Sequence, residues 1–149
     1  MPTLIENKKA RFDYEILEKF DAGIELQGFE VKSIKNNQGK LEGAFVIIRG
    51  GEAYLMGVQI PPYQAKNTPP QYDPLRNRKL LLTKKEIAEL LGKEKAKGLT
   101  IIPISMYTKG RKIKVSLAVV KGKKKFDKRE TIKKRETERE IRREMRHES

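Results

Sequence analysis

Lys112-Ile113-Lys114-Val115-Ser116-Leu117-Ala118-Val119 is the stretch whose pattern decides the fold. Ile113, Val115, Leu117 and Val119 alternate with Lys112, Lys114, Ser116 and Ala118. A period of two sends one set inward and leaves the other on a lysine-bearing face, which is the pattern of a half-buried strand. The strand runs on to Val120. Upstream, Leu99 to Tyr107 reads as its partner, and Lys109-Gly110 joins the two as a hairpin. A second hairpin lies earlier in the chain. Ala44-Phe45-Val46-Ile47-Ile48 and Ala53-Tyr54-Leu55-Met56 flank Gly50-Gly51, a pair that tolerates the positive φ angles of a tight turn.

Further strand character lies at Phe12-Asp13-Tyr14-Glu15-Ile16-Leu17, where apolar and acidic residues alternate. Between the hairpins, Thr83-Lys84-Lys85-Glu86 has the form of a capping box. Ile87, Leu90 and Leu91 follow at helical spacing, and Gly92 is placed to end the helix. Residues 61–78 carry Pro61, Pro62, Pro69, Pro70 and Pro74, each without a backbone donor, and predict an irregular surface loop. Around Gly23 to Ile34 the pattern fits strand or short helix equally. Many short antiparallel strands with few helices favour a mainly β, OB-fold-like antiparallel barrel with short accessory helices, since closure removes exposed strand edges.

The chain of 149 residues is long enough for one domain and an appendage. Residues 121–149 contain only Phe126, Ile132, Ile141 and Met145 as large apolar groups. Ile132 and Ile141 point to opposite sides of a helix, so no apolar stripe exists to dock this segment. The division expected is therefore a folded body over 1–120 and a basic tail over 121–149, disordered when free. Within the tail, Glu136–Glu140 repels and Glu138–Arg142 attracts at i,i+4, which makes a marginal helix that forms on binding.

A formal charge of +14 points to a polyanionic partner, nucleic acid or an anionic membrane surface. No apolar run reaches the roughly 20 residues of a spanning helix, and the N-terminus lacks a signal-peptide stretch, so a soluble cytoplasmic protein without a membrane partner is expected. Zero Cys and a single His, His147, remove the usual metal and triad ligands, and no metal or other cofactor is expected. Gly-rich phosphate loops and hydrolase motifs are missing too. A nuclease would have to rely on Asp21, Glu25, Glu30 and Asp73, whose spacings match no metal motif.

Four constellations are candidates for nucleic-acid contact. Asn7-Lys8-Lys9-Ala10-Arg11 is a cationic entry to the first strand, readable equally as a solvated terminus. Asp73-Pro74-Leu75-Arg76-Asn77-Arg78-Lys79 offers two guanidinium forks on a Pro-constrained loop leading into Leu80-Leu81-Leu82. In Glu30-Val31-Lys32-Ser33 the carboxylate could accept from a ribose hydroxyl or base amine while Lys32 meets phosphate; a Glu–Lys surface pair explains it as well. Lastly, Gly122-Lys123-Lys124-Lys125-Phe126-Asp127-Lys128-Arg129 sets one ring among cations, with no core for it to join. Stacking on an unpaired base accounts for the ring, and phosphate attraction for the charges.

NKKA at Asn7, DAGIELQGFEVKS from Asp21, DPLRNRKLLL from Asp73, KGLTIIPISMY from Lys97 and GKKKFDKRE from Gly122 stand in the order and spacing of one family. Together they closely resemble SmpB, the SsrA-binding proteins of bacterial trans-translation. The resemblance implies an OB-fold body without catalytic activity that binds the tRNA-like part of transfer-messenger RNA at its elbow. It also implies delivery to stalled ribosomes together with elongation factor Tu. Carried over position by position, it gives Asn7, Lys8, Lys9, Asp21, Glu30, Lys32, Arg76, Arg78, Lys79 and Leu80 as the RNA-facing body surface. For the tail it implies entry into the decoding centre and the empty mRNA channel of the small subunit through Lys123, Lys124, Lys125, Phe126, Asp127, Lys128 and Arg129. Phe126 stands where relatives often have His or Tyr, and Glu144-Met145 where they often have a bulky apolar pair. The reading that competes with this one is a basic OB-type ribosomal protein or RNA chaperone with no role specific to stalling.

Overall fold

The computed structural model describes residues 3–63 and 68–122. In chain order these form β1 (Thr3–Glu6), α1 (Ala10–Asp13), β2 (Tyr14–Ile24), α2 (Gly28–Lys35), β3 (Phe45–Arg49), β4 (Glu52–Met56), β5 (Arg78–Leu81), α3 (Lys84–Lys95), β6 (Leu99–Lys109) and β7 (Lys112–Gly122). The strands make one antiparallel sheet in the order β1-β6-β7-β2-β5-β4-β3, a mainly β, OB-like arrangement. β2 carries the sheet around, pairing with β7 from Tyr14 to Gly23 and with β5 at Gly23 and Ile24. Among the described residues the ladder of hydrogen bonds does not close, and β1 and β3 are its edges. A helix does the work expected of closure: α3 packs on both β3 and β6. Its Glu94 Oε2 accepts the Ile48 N–H of the edge strand at 2.6 Å, while Oε1 accepts from Arg49 Nη1 at 2.8 Å. An edge whose amide is already bonded is a poor template for a second chain.

Both hairpins form where the sequence puts them. Arg49 pairs with Glu52 across Gly50 and Gly51, whose φ values of 58° and 76° are the positive pair a two-residue turn demands. Lys109 pairs with Lys112 across Gly110-Arg111. Ile113, Val115, Leu117 and Val119 enter the main core beside Phe20, Leu55, Leu80, Leu90 and Met106. The opposite face is not lysine throughout: Ala118 and Val120 are buried with Ala10 and Ile102, because α1 folds over that end of the sheet. β7 also continues through Lys121 and Gly122, paired to Leu99 and Tyr14.

Three local expectations are corrected. Phe12 and Asp13 lie in the single turn of α1, and the strand starts at Tyr14. Leu17 is half exposed because a bulge between Ile16 and Glu18 takes it out of register with β7. Gly92 does not end α3, which runs on to Lys95; Ala96 stops it in an extended conformation, and Gly92 sits on an open face where an added methyl would meet nothing. The Gly23–Ile34 ambiguity resolves into both elements, strand to Ile24 and helix from Gly28.

At the other end of α3 the capping box is complete: Glu86 N–H donates to Thr83 Oγ1 at 3.1 Å and Thr83 N–H to Glu86 Oε1 at 3.0 Å. Thr83→Ala is expected to cost about 1 kcal/mol, read as a lowered urea midpoint at unchanged m-value.

Candidate nucleic-acid interface

Register places a polar surface on the outer face of β6, β7, β2 and β5. Ser105, Ser116 and Asp21 share one row across three strands. The next row is Tyr107, Lys114, Gly23 and Leu81 across four. Lys19 stands opposite Ala118 on the same side. Phe20 and Ala22, alternating with Lys19 and Asp21, point into the core, which is why the latter two are exposed. Gly23 lets Leu81 lie close: a Cβ built there would stand 3.1 Å from Leu81 Cβ.

Beside these rows is a cleft of about 470 Å³ lined by Lys8, Lys19, Ile104, Ser105, Ser116 and the Asn7 end of the first loop. A second hollow of about 290 Å³ lies where Leu81 meets Leu26, Val31, Ile113, Arg111 and Lys114. Ammonium groups, hydroxyls, a half-exposed leucine and two acceptor carboxylates, Asp21 on the sheet and Glu6 in the cleft, are chemically suited to a ribose–phosphate chain. Asp21 is held by Tyr107, whose hydroxyl donates to Asp21 Oδ1 at 2.9 Å. Burial, and then this bond, raise the Tyr107 phenol above its ordinary pKa.

Of the expected body residues, Lys8 and Asp21 belong to this face, and Lys9 and Lys32 are exposed elsewhere. Lys9 is weakly paired to Glu42 at 3.8 Å. Lys79 projects from β5 toward β4, where the Glu52 carboxylate at 3.3 Å raises its pKa. Asn7 turns inward instead. Its backbone N–H donates to Ile104 O at 2.7 Å and its amide to Pro103 O at 3.1 Å, at the point where Pro103 and Ser105 break the β6 register. It satisfies carbonyls at a bulge that a proline has helped to create. Leu80 is core, 1% exposed; strand alternation makes Leu81, at 50%, the outward leucine of that pair.

Glu30, Arg76 and Arg78 do come together, with Glu30 and Arg78 inside and Arg76 partly exposed over them. Glu30 and Arg78 are both 0% exposed. The Glu30 carboxylate accepts from Gln27 N–H at 2.8 Å, from Arg78 Nε at 2.8 Å and from Arg76 Nε at 3.2 Å, with Arg76 Nη2 in closer contact still. Arg78 spends its remaining donors on Val58 O, Arg76 O, Pro74 O and the Tyr72 hydroxyl. Burial alone would raise the Glu30 pKa; the hydrogen bonds from Arg76 and Gln27 and the charge of Arg78 outweigh it and hold the carboxyl below its ordinary value. Tyr72 stands edge-on to Phe29, and burial with the adjacent carboxylate pushes its phenol to about 12. Of the two arginine forks expected to face RNA, Arg78 is thus an internal strut, and Arg76, its side chain still 29% exposed, ties the proline-rich loop to α2 through Glu30. All the donors of Arg78 are committed to protein.

Of the carboxylates named above, Glu30 lies in this network, Asp21 Oδ1 accepts from Tyr107, and Asp73 Oδ1 accepts from Leu75 N–H at 2.9 Å. Among the described residues no helix is long and apolar enough to cross a membrane. Lys123, Lys124, Lys125, Phe126, Asp127, Lys128 and Arg129 lie outside the described residues. The residues of this candidate face that the sequence analysis did not single out are Lys19, Ser105, Tyr107 and Leu81. Lys19 was signalled by its alternation with Phe20, whereas Tyr107 required the register of three strands.

Residues 4–147 match the family model described as SmpB protein. The chain is 52% identical over 145 residues to the SsrA-binding protein of Coprothermobacter proteolyticus, covering 97% of each. To the SsrA-binding protein of Thermosynechococcus vestitus it is 49% identical over 142 residues, covering 95% of this chain and 93% of the relative. A solved structure described as "tmRNA-SmpB: a journey to the center of the bacterial ribosome" superposes with a TM-score of 0.70 at 46% identity, over 84% of this chain and 87% of that one. By sequence along nearly its whole length, and by the fold just described, the chain belongs to the SmpB family of SsrA-binding proteins.

Proposed function

We propose that this protein is an RNA-binding adaptor: it binds the tRNA-like domain of transfer-messenger (SsrA) RNA and is required for delivery of that RNA to stalled ribosomes in trans-translation. The observation that carries the reading is identity of about half over 97% of a relative named for binding SsrA. The outer face of β6-β7-β2-β5 supplies the means. Lys8, Lys19 and Lys114 attract phosphates, and Asp21 accepts from a neutral donor. β7 ends at Gly122, and the basic tail probes the decoding centre and mRNA channel of the small subunit, with Phe126 stacking on a ribosomal base. Elongation factor Tu accompanies the complex, the setting is the cytoplasm, and the protein's contribution is positioning, with no catalytic step of its own.

Sequencing the RNA that co-purifies with the protein from its own cells tests the class. One dominant RNA with a tRNA-like end is expected; a spread of ribosomal and messenger fragments would instead favour a general RNA chaperone. On the body, Lys114→Glu is expected to weaken binding of the isolated tRNA-like domain about tenfold and to reduce the slope of log K against log salt by about 1–2. Unchanged affinity and slope would remove the outer face from the interface.

A further inference from the structure

An acid on a basic face is a cost. Asp21 shares the outer face with Lys19 and Lys114, and its charge opposes the attraction that those ammonium groups exert on phosphate. It is also exposed, so an unrestrained carboxylate would rotate freely and lose entropy on ordering. Tyr107 removes that freedom. The tyrosine starts on β6 and the aspartate on β2, with the whole of β7 between them. Two inter-strand gaps amount to about 9–10 Å. The tyrosine side chain covers this span diagonally, from the Lys114 row to the Ser116 row, and ends 2.9 Å from Asp21 Oδ1. Ser116, the residue between Ser105 and Asp21 in its row, is small and partly exposed, which leaves the crossing unobstructed.

We propose that Tyr107 is a positioning residue of the RNA-binding face: it fixes the Asp21 carboxylate so that Oδ2 is held ready for an N–H or O–H donor of the bound RNA. With Oδ1 already engaged, the carboxylate is biased toward a single donor, a ribose 2′-hydroxyl or a base amine, over a paired two-donor base edge. The ring itself forms part of the surface on which that nucleotide lies. The inference rests on the RNA-binding function proposed above.

The test is a double-mutant cycle in the full-length protein, with Tyr107→Phe, Asp21→Asn and the pair, read as the dissociation constant for the tRNA-like domain of transfer-messenger RNA. Tyr107→Phe keeps the ring and is expected to weaken binding about three- to tenfold, and Asp21→Asn at least as much, with the double variant no weaker than Asp21→Asn alone. Coupling of this kind in RNA affinity, at unchanged melting temperature, is not produced by a merely structural tyrosine. Scanning the RNA elbow by single substitution then identifies the donor. A 2′-deoxy change that weakens binding to wild type but not to Asp21→Asn assigns it to ribose; a guanosine-to-inosine change with that behaviour assigns it to a base amine. Additive single effects, or a Tyr107→Phe protein with wild-type affinity, overturn the positioning role, as does a scan in which neither change behaves this way. Failure of the wild-type protein to bind the tRNA-like domain would be a different result, overturning the proposed function itself.

Discussion

Replacing Glu30 with alanine is expected to remove about 3–5 kcal/mol of stability, a large share of the roughly 5–15 kcal/mol a domain possesses. The side chain is wholly buried and is the shared acceptor of Arg76 and Arg78. Its loss leaves the Arg78 guanidinium, also fully buried, without a counter-charge, and desolvating an unpaired cation is what makes such a deletion expensive. Glu30→Gln keeps the shape but not the charge and is expected to fall between. Chemical denaturation of all three proteins checks the order.

The same residue gives a pH signature. The folded-state pKa of Glu30 is depressed below its ordinary value of 4.5. Its contribution is therefore complete above that value and is lost as pH falls through the depressed one. Melting temperature should decline on acidification below about 4.5 in the wild type, and more shallowly in Glu30→Gln. Parallel curves for the two proteins would place the acid sensitivity elsewhere.

The second large effect is functional. Truncation after Gly122, the last residue of β7, is expected to leave binding of the tRNA-like domain nearly intact while abolishing peptide tagging on stalled ribosomes. Gly122 is the right boundary because Lys121 and Gly122 still pair with Leu99 and Tyr14, and a cut at Val120 would damage both neighbouring strands. Phe126→Ala in the intact chain is expected to impair tagging in the same direction by the roughly 1–3 kcal/mol of a stacked ring. Equal loss of RNA binding and tagging on truncation would show that the two steps share one surface.

The hairpins, the α3 cap and the β7 core face were legible because each rests on local chemistry: Gly-Gly at a turn, Thr and Glu three apart, apolar residues two apart. The edges of elements were less so. Nothing in Phe12-Asp13 announces a helical turn, since its alternation suits a strand until Ala10 is seen to cover Ala118. The candidate site divided along the same line. Lys8 and Asp21 lie beside and on the outer face, but Glu30 is on a short helix, Arg76 on a loop and Arg78 at the start of a strand, and charge in such places reads as surface. Only the three-dimensional meeting of one carboxylate with two guanidinium groups makes the burial of Glu30 and Arg78 tolerable. Leu80 and Leu81 show the smallest version of the problem, in which a one-residue uncertainty in strand phase exchanges core for surface.

The order of strands has a consequence for how the chain is made. β7 pairs with both β6 and β2, the longest ladders in the sheet, yet among the described residues it is the last strand to be synthesised. Until it emerges, β2 lacks the partner that runs beside it from Tyr14 to Gly23, and β6 has only its short pairing with β1. Pairing of segments so distant in sequence is slow to nucleate. Pairing of β2 and β6 with β7 on the synthesising ribosome must therefore wait until the chain has been translated through Gly122. A product released much earlier would carry two long unsatisfied strands, a form prone to self-association and open to proteolysis. For this topology the described sheet cannot be built up strand by strand: the last of its strands to be made is the one that joins the two halves.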